Sequence, residues 1–110
     1  SAEFPTMLDK LVYMYITETR LALKELSSCL EKGDLEHLAI RAHNLKGSSG
    51  TLGANRMKCL ADEVCKAARS GGPESIAPLL KFMESEFEVV RARMEALRTL
   101  PTPKASSART

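Results

Sequence analysis

The sequence predicts an all-α domain, an antiparallel up-and-down four-helix bundle. Three observations carry that prediction. Apolar residues recur at steps of three and four in four separate segments. Short runs of Gly, Asp and Pro separate those segments, with no long loop between them. No convincing two-residue alternation marks a β-strand, and no internal repeat is present. Four amphipathic helices with short connections bury their stripes most simply against one another, in chain order.

The first helix is expected from about Pro5 to Leu30, with Leu8, Leu11 or Val12, Tyr15, Ala22, Leu26 and Leu30 along its inward line. Gly33 ends it, and Asp34 is an N-cap for the second helix. That helix is expected from Leu35 to Thr51, with Leu35, Leu38, Ala42, Leu45, Ser49 and Leu52 facing the bundle. Gly53 interrupts the chain before a third helix, Ala54 to Arg69, which turns Met57, Leu60, Ala61, Val64 and Ala68 inward. The SGGP stretch from Ser70 to Pro73 is a loop signal. A fourth helix starts near Ser75. Pro78 fits only its first turn, where a missing N–H leaves no helical acceptor unpaired. Leu79, Met83, Phe87, Val90, Met94 and Leu97 then mark a long buried stripe.

Residues 1–6 are read as an N-terminal extension or a cloning remnant, in which Glu3 to Met7 is a candidate for a short extra helix. Residues 7–99 make the bundle. Residues 100–110 carry prolines, small polar residues and no acid, so they are expected to be disordered.

At 110 residues the chain supports one modest core. Sixteen basic against 14 acidic residues leave a net charge of +2. That balance creates no strong field for nucleic acid, and a chain without Trp has little to stack bases on. Cys29, Cys59 and Cys65 lack metal-site spacing and are expected to be reduced and largely buried, which fits a reducing compartment. No apolar run approaches the roughly 20 residues of a membrane span. The methionines at helical spacing read as core filler. Glu84, Glu86 and Glu88, followed by Arg91 and Arg93, read as a solvated face with helical ion pairs.

One stretch does not fit a purely structural reading: AHNLKGSSGTLGA, Ala42 to Ala54. Glycine costs about 1 kcal/mol relative to alanine inside a helix, yet Gly47 sits one turn after His43. At about 100° per residue, the leucine stripe of the second helix centres roughly 130° from His43, which therefore lies on the outer flank. Ala39, Gly47 and Gly50 fall within about 40° of it, and Ile40 and Lys46 within about 60°. A neutral imidazole has a nucleophilic lone pair near neutral pH. Small neighbours would let a second protein approach it. Lys46 could offset charge on a transferring phosphoryl group, and Ile40 offers an apolar contact. His37 is also on the outer side, but Ile40 and Arg41 occupy its next turn, so geometry favours His43.

These residues resemble the signature of the histidine-containing phosphotransfer domains of multistep two-component phosphorelays. The family pattern is a histidine, an apolar residue, Lys, Gly, small residues and then Gly-Ala opening the next helix. His43, Leu45, Lys46, Gly47, Ser48, Ser49, Gly53 and Ala54 match it. A long last helix, PLLKFMESEFEVVRARM from Pro78, is similar as well, and the likeness spans about Met7 to Leu97. The resemblance implies that His43 accepts a phosphoryl group on Nε2 from the aspartyl phosphate of a receiver domain and passes it to a response regulator's aspartate. It implies that Lys46 supports the phosphoryl charge and that Gly47 leaves room for the partner, with Ala39, Ile40, Arg41, Asn44, Ser48 and Gly50 completing the docking rim. The source would be the C-terminal part of a hybrid sensor histidine kinase, monomeric as a domain. It would be cytoplasmic, and tethered to the inner membrane only through its parent chain.

No GxxxxGK[ST] loop is present for ATP, and no acidic cluster for Mg²⁺. The domain is therefore expected to bind no cofactor, to be no kinase itself, and to rely on Mg²⁺ held by the receiver. Neither nucleic acid nor membrane contact is expected. Ser49 lies on the buried stripe, and neither Ser48 nor Ser49 shows a base that would activate it. Two alternatives remain open at this point: a helical adaptor that binds receivers without phosphate exchange, and a chemotaxis-type module phosphorylated directly by a kinase domain.

Overall fold

A computed structural model describes residues 6–70 and 72–98. The described elements are α1 (Met7–Lys32), α2 (Leu35–Thr51), α3 (Asn55–Ser70), a 3₁₀ turn (Pro73–Ser75) and α4 (Ile76–Arg98). Each helix packs on its neighbour in sequence, and α4 closes the ring against α1. This is the antiparallel four-helix bundle, and among the described residues there is no strand. Of the stretch proposed as an extra N-terminal helix, residues 3–5 lie outside the described residues while Thr6 and Met7 cap and open α1; the tail from residue 100 and the side chain of Leu97 also lie outside.

Local chemistry sets the helix ends. Thr6 caps α1 by accepting from the Asp9 N–H, while the Asp9 carboxylate accepts from the Thr6 N–H. Gly33, at φ 73°, takes the left-handed conformation that terminates α1. Asp34 then caps α2, accepting from the His37 N–H. Gly53 has φ 77°, so the turn into α3 requires a residue without a Cβ.

The core is continuous: Val12, Tyr15, Ile16, Leu23 and Leu26 from α1 meet Leu38, Ala42 and Leu45 from α2. Met57, Ala61 and Val64 of α3 and Ile76, Met83 and Phe87 of α4 complete it. Fully burying side chains such as Leu26, Leu38 or Met83 stabilises the fold by about 1.5–3 kcal/mol each. Tyr15 is hydrogen-bonded to Ser49 at 2.6 Å inside this core. That bond sets the last turn of α2 opposite Tyr15.

The register explains where the sequence-based stripes fail. Tyr15 meets Ser49 in the last turn of α2, so the first turn of α1 lies near the end of the bundle, with Val12 its outermost core residue. Leu8 and Leu11, expected inward, are 49% and 41% exposed. Met7 and Met14 are exposed too, against the expectation that methionines fill the core. Val12, Tyr15 and Leu26 are buried as expected, and Ile16, Thr19 and Leu23 complete the α1 line. In α4, Leu80 is buried and Leu79 only half-buried. Cys65 is buried and Cys29 half-buried, whereas Cys59 is exposed, contrary to expectation, because it faces the α3/α4 groove. Arg91 makes the expected helical ion pairs, with Glu88 at 2.9 Å and Glu95 at 3.1 Å. The Glu86 side chain does not share that solvated face: it is 11% exposed and lies 3.9 Å from Arg56. Among the described residues, no helix is long and apolar enough to cross a membrane.

Candidate functional site

His43 is exposed on the outer flank of α2, as the helical geometry predicts. Among the described residues, none hydrogen-bonds its ring. His37 differs. Its Nδ1 is 2.7 Å from Oδ2 of Asp34, the residue that caps its own helix. The pairing holds the Asp34 carboxyl below its ordinary range. His37 is thus engaged in ending the loop, while His43 keeps both ring nitrogens free of protein partners.

His43, Lys46, Gly47, Gly50 and Thr51 of α2 line one shallow depression with Lys58 of α3. Larger grooves lie between α1 and α4 and between α3 and α4, but neither contains a histidine. A Cβ added at Gly47 would meet nothing within 4 Å, so the space above that turn is open to solvent. At Gly50 a Cβ would lie 3.4 Å from Cδ of Lys58, whose stem therefore runs across the bare backbone there.

Lys46 is half-buried, and its ammonium donates to Oδ1 of Asp62 at 3.0 Å. Oδ2 of Asp62 accepts from Lys66, one turn further along α3, at 3.1 Å. The hydrogen bond from Lys46, and then that from Lys66, holds the Asp62 carboxyl below the usual carboxylate range. Asp62 in turn raises Lys66. Lys46 is thereby held by Asp62 on the depression that it lines with His43.

The remaining rim residues divide. Arg41, Asn44 and Ser48 line a second groove, against Glu18, Leu21 and Glu25 of α1. Arg41 is tied to Glu25 at 3.1 Å, and the Ser48 hydroxyl donates to the Leu45 carbonyl. Ile40 is 48% exposed. His43 stands on α2 between the two depressions. Ala39 is the correction: it is 5% exposed and packs in the core, with its carbonyl accepting from Cys65 Sγ at 3.6 Å. α3 covers that flank of α2, which a helical wheel cannot show. Lys58 and Asp62 escaped the sequence reading, although Lys58, Asp62 and Lys66 form an i, i+4, i+8 charged line that marks one face of α3.

A family model described as Hpt domain matches residues 10–100. The chain belongs to the Hpt domain family. Histidine-containing phosphotransfer protein 4 of Arabidopsis thaliana is similar to it, 23% identical over 93 residues that cover 83% of this chain and 73% of that protein. No solved structure matches. As an Hpt domain, the chain has a phosphocarrier role in phosphorelay signalling, and domains of this family interact with receiver domains.

Proposed function

We propose that His43 is the phosphoacceptor, taking the phosphoryl group from a receiver's aspartyl phosphate and delivering it to the aspartate of a second receiver. The observation that carries this reading is the exposed imidazole beside the open turn at Gly47. In the forward step Nε2 of neutral His43 attacks phosphorus, an N–P bond forms and the P–O bond to the aspartyl carboxyl breaks. The carboxylate leaves on the receiver, the ring keeps its Nδ1 proton, and no water is consumed.

The fixed ammonium of Lys46 offsets charge on the phosphoryl oxygens, the main demand of phosphoryl transfer. Because Asp62 already orients it, little reorganisation is needed at the moment of transfer. Gly47 and Gly50 keep side chains out of the approach. Ile40, Arg41, Asn44 and Ser48, with Leu21 of α1, supply a mixed apolar and polar rim. The donor and acceptor are receiver domains of a hybrid sensor kinase and of a response regulator, and Mg²⁺ is held by the receiver. Incubation with a phosphorylated receiver and Mg²⁺ tests this. Acid-labile, base-stable label is expected on the wild type and none on His43→Gln; persistent labelling of that variant refutes the assignment.

A further inference from the structure

Lys58 is the cation that the phosphotransfer reading leaves unused. It lies across the depression from His43, on the other helix. Asp62, one turn after Lys58 on α3, has both carboxylate oxygens taken: Oδ1 by Lys46 and Oδ2 by Lys66. Helical geometry explains the choice. An acid N-terminal to a base at i, i+4 pairs better than the reverse order, so Asp62 turns to Lys66 and not back to Lys58. Among the described residues, Lys58 has no acidic partner. Its stem is nonetheless placed, because Gly50 offers bare backbone for Cδ and Cε to lie against.

Gly50 is about 10 Å beyond His43 along α2. The backbone that seats the Lys58 stem is therefore two helical turns from the imidazole, about one Debye length at physiological salt. We infer that Lys58 is a steering and docking cation for the anionic face of the phosphorylated receiver, acting on encounter and not on the chemical step. The inference rests on the phosphocarrier reading. The receiver's site must carry an aspartyl phosphate and the carboxylates that hold its Mg²⁺, and an exposed cation on the depression that His43 lines is complementary to that charge. Rim charges of this kind change association rate and its salt dependence more than the rate of later steps.

Rapid-mixing transfer from a receiver domain phosphorylated with acetyl phosphate in Mg²⁺ tests the assignment. Lys58→Met keeps an unbranched stem over Gly50 and removes the charge; Lys58→Glu reverses it. At low salt the second-order transfer constant is expected to fall about 3-fold for Lys58→Met and ~10-fold for Lys58→Glu, in line with one exposed charge pair. Lys58→Arg should stay within about two-fold of wild type. The differences should vanish at high salt, and the rate at saturating receiver should stay within about two-fold throughout. Equal second-order constants at low salt, a deficit that persists at high salt, or a loss confined to the saturating rate would each overturn the role of Lys58. A wild-type domain that takes no phosphate from any receiver overturns the phosphocarrier reading instead.

Discussion

Replacing Gly47 by alanine should make this domain more stable and less competent. Gly47 lies inside α2, four residues before its end, with ordinary helical backbone. Alanine is favoured over glycine in a helix interior by about 0.8–1.0 kcal/mol. Nothing in the fold opposes that gain, because the added Cβ would meet no atom within 4 Å. For a domain of this size the melting temperature should rise by about 4–8 °C per kcal/mol, read by thermal circular dichroism. The new methyl points into the space a receiver must enter. A misplacement of about 1 Å in a transfer geometry costs up to a hundredfold in rate, so a single methyl should slow transfer by about tenfold. Gly47→Gln, also a good helix former, should fold and transfer almost nothing. A Gly47→Ala protein with an unchanged or lower melting temperature would show that the space is not open. A Gly47→Gln protein that transfers at the wild-type rate would show that the partner does not approach over this turn.

Lys46→Met should lower the saturating transfer rate about tenfold, the scale of one charge-assisted hydrogen bond to the phosphoryl group, while label still reaches His43. Asp62 has a folded-state carboxyl held below its unfolded value, so the stability it contributes is complete above about pH 4. That contribution is lost as pH falls through the lowered value. Urea titrations across that acid range should therefore show a shallower decline for Asp62→Asn than for wild type. Tyr15→Phe strands the buried Ser49 hydroxyl and should destabilise by about 1–3 kcal/mol, with Tyr15→Phe/Ser49→Ala costing less than the sum of its single changes.

Much of the bundle was legible because its signals are local. Gly33 and Asp34 punctuate the first connection by their own conformational preferences, and the Leu38, Ala42, Leu45 and Ser49 stripe reports one helix against one core. What failed depends on how far one helix slides along another. Leu8 and Leu11 look like core residues until Tyr15 is seen to meet the last turn of α2. Ala39 looks like part of the His43 rim until α3 covers it. At the site the same limit applies. His43, Lys46 and Gly47 lie within one helix and could be related by angle alone. Lys58 and Asp62 enter from a second helix, and only the turn through Gly53 sets their register against the first.

The most direct test is to locate the phosphate on the intact domain after transfer from a phosphorylated receiver, by ¹H–³¹P correlated NMR. The expected result is one N–P resonance, coupled to the ring protons of His43, absent in His43→Gln and unchanged in His37→Gln. A resonance on His37, or phosphate on any other side chain, would contradict the reading that the exposed imidazole beside Gly47 is the reacting group.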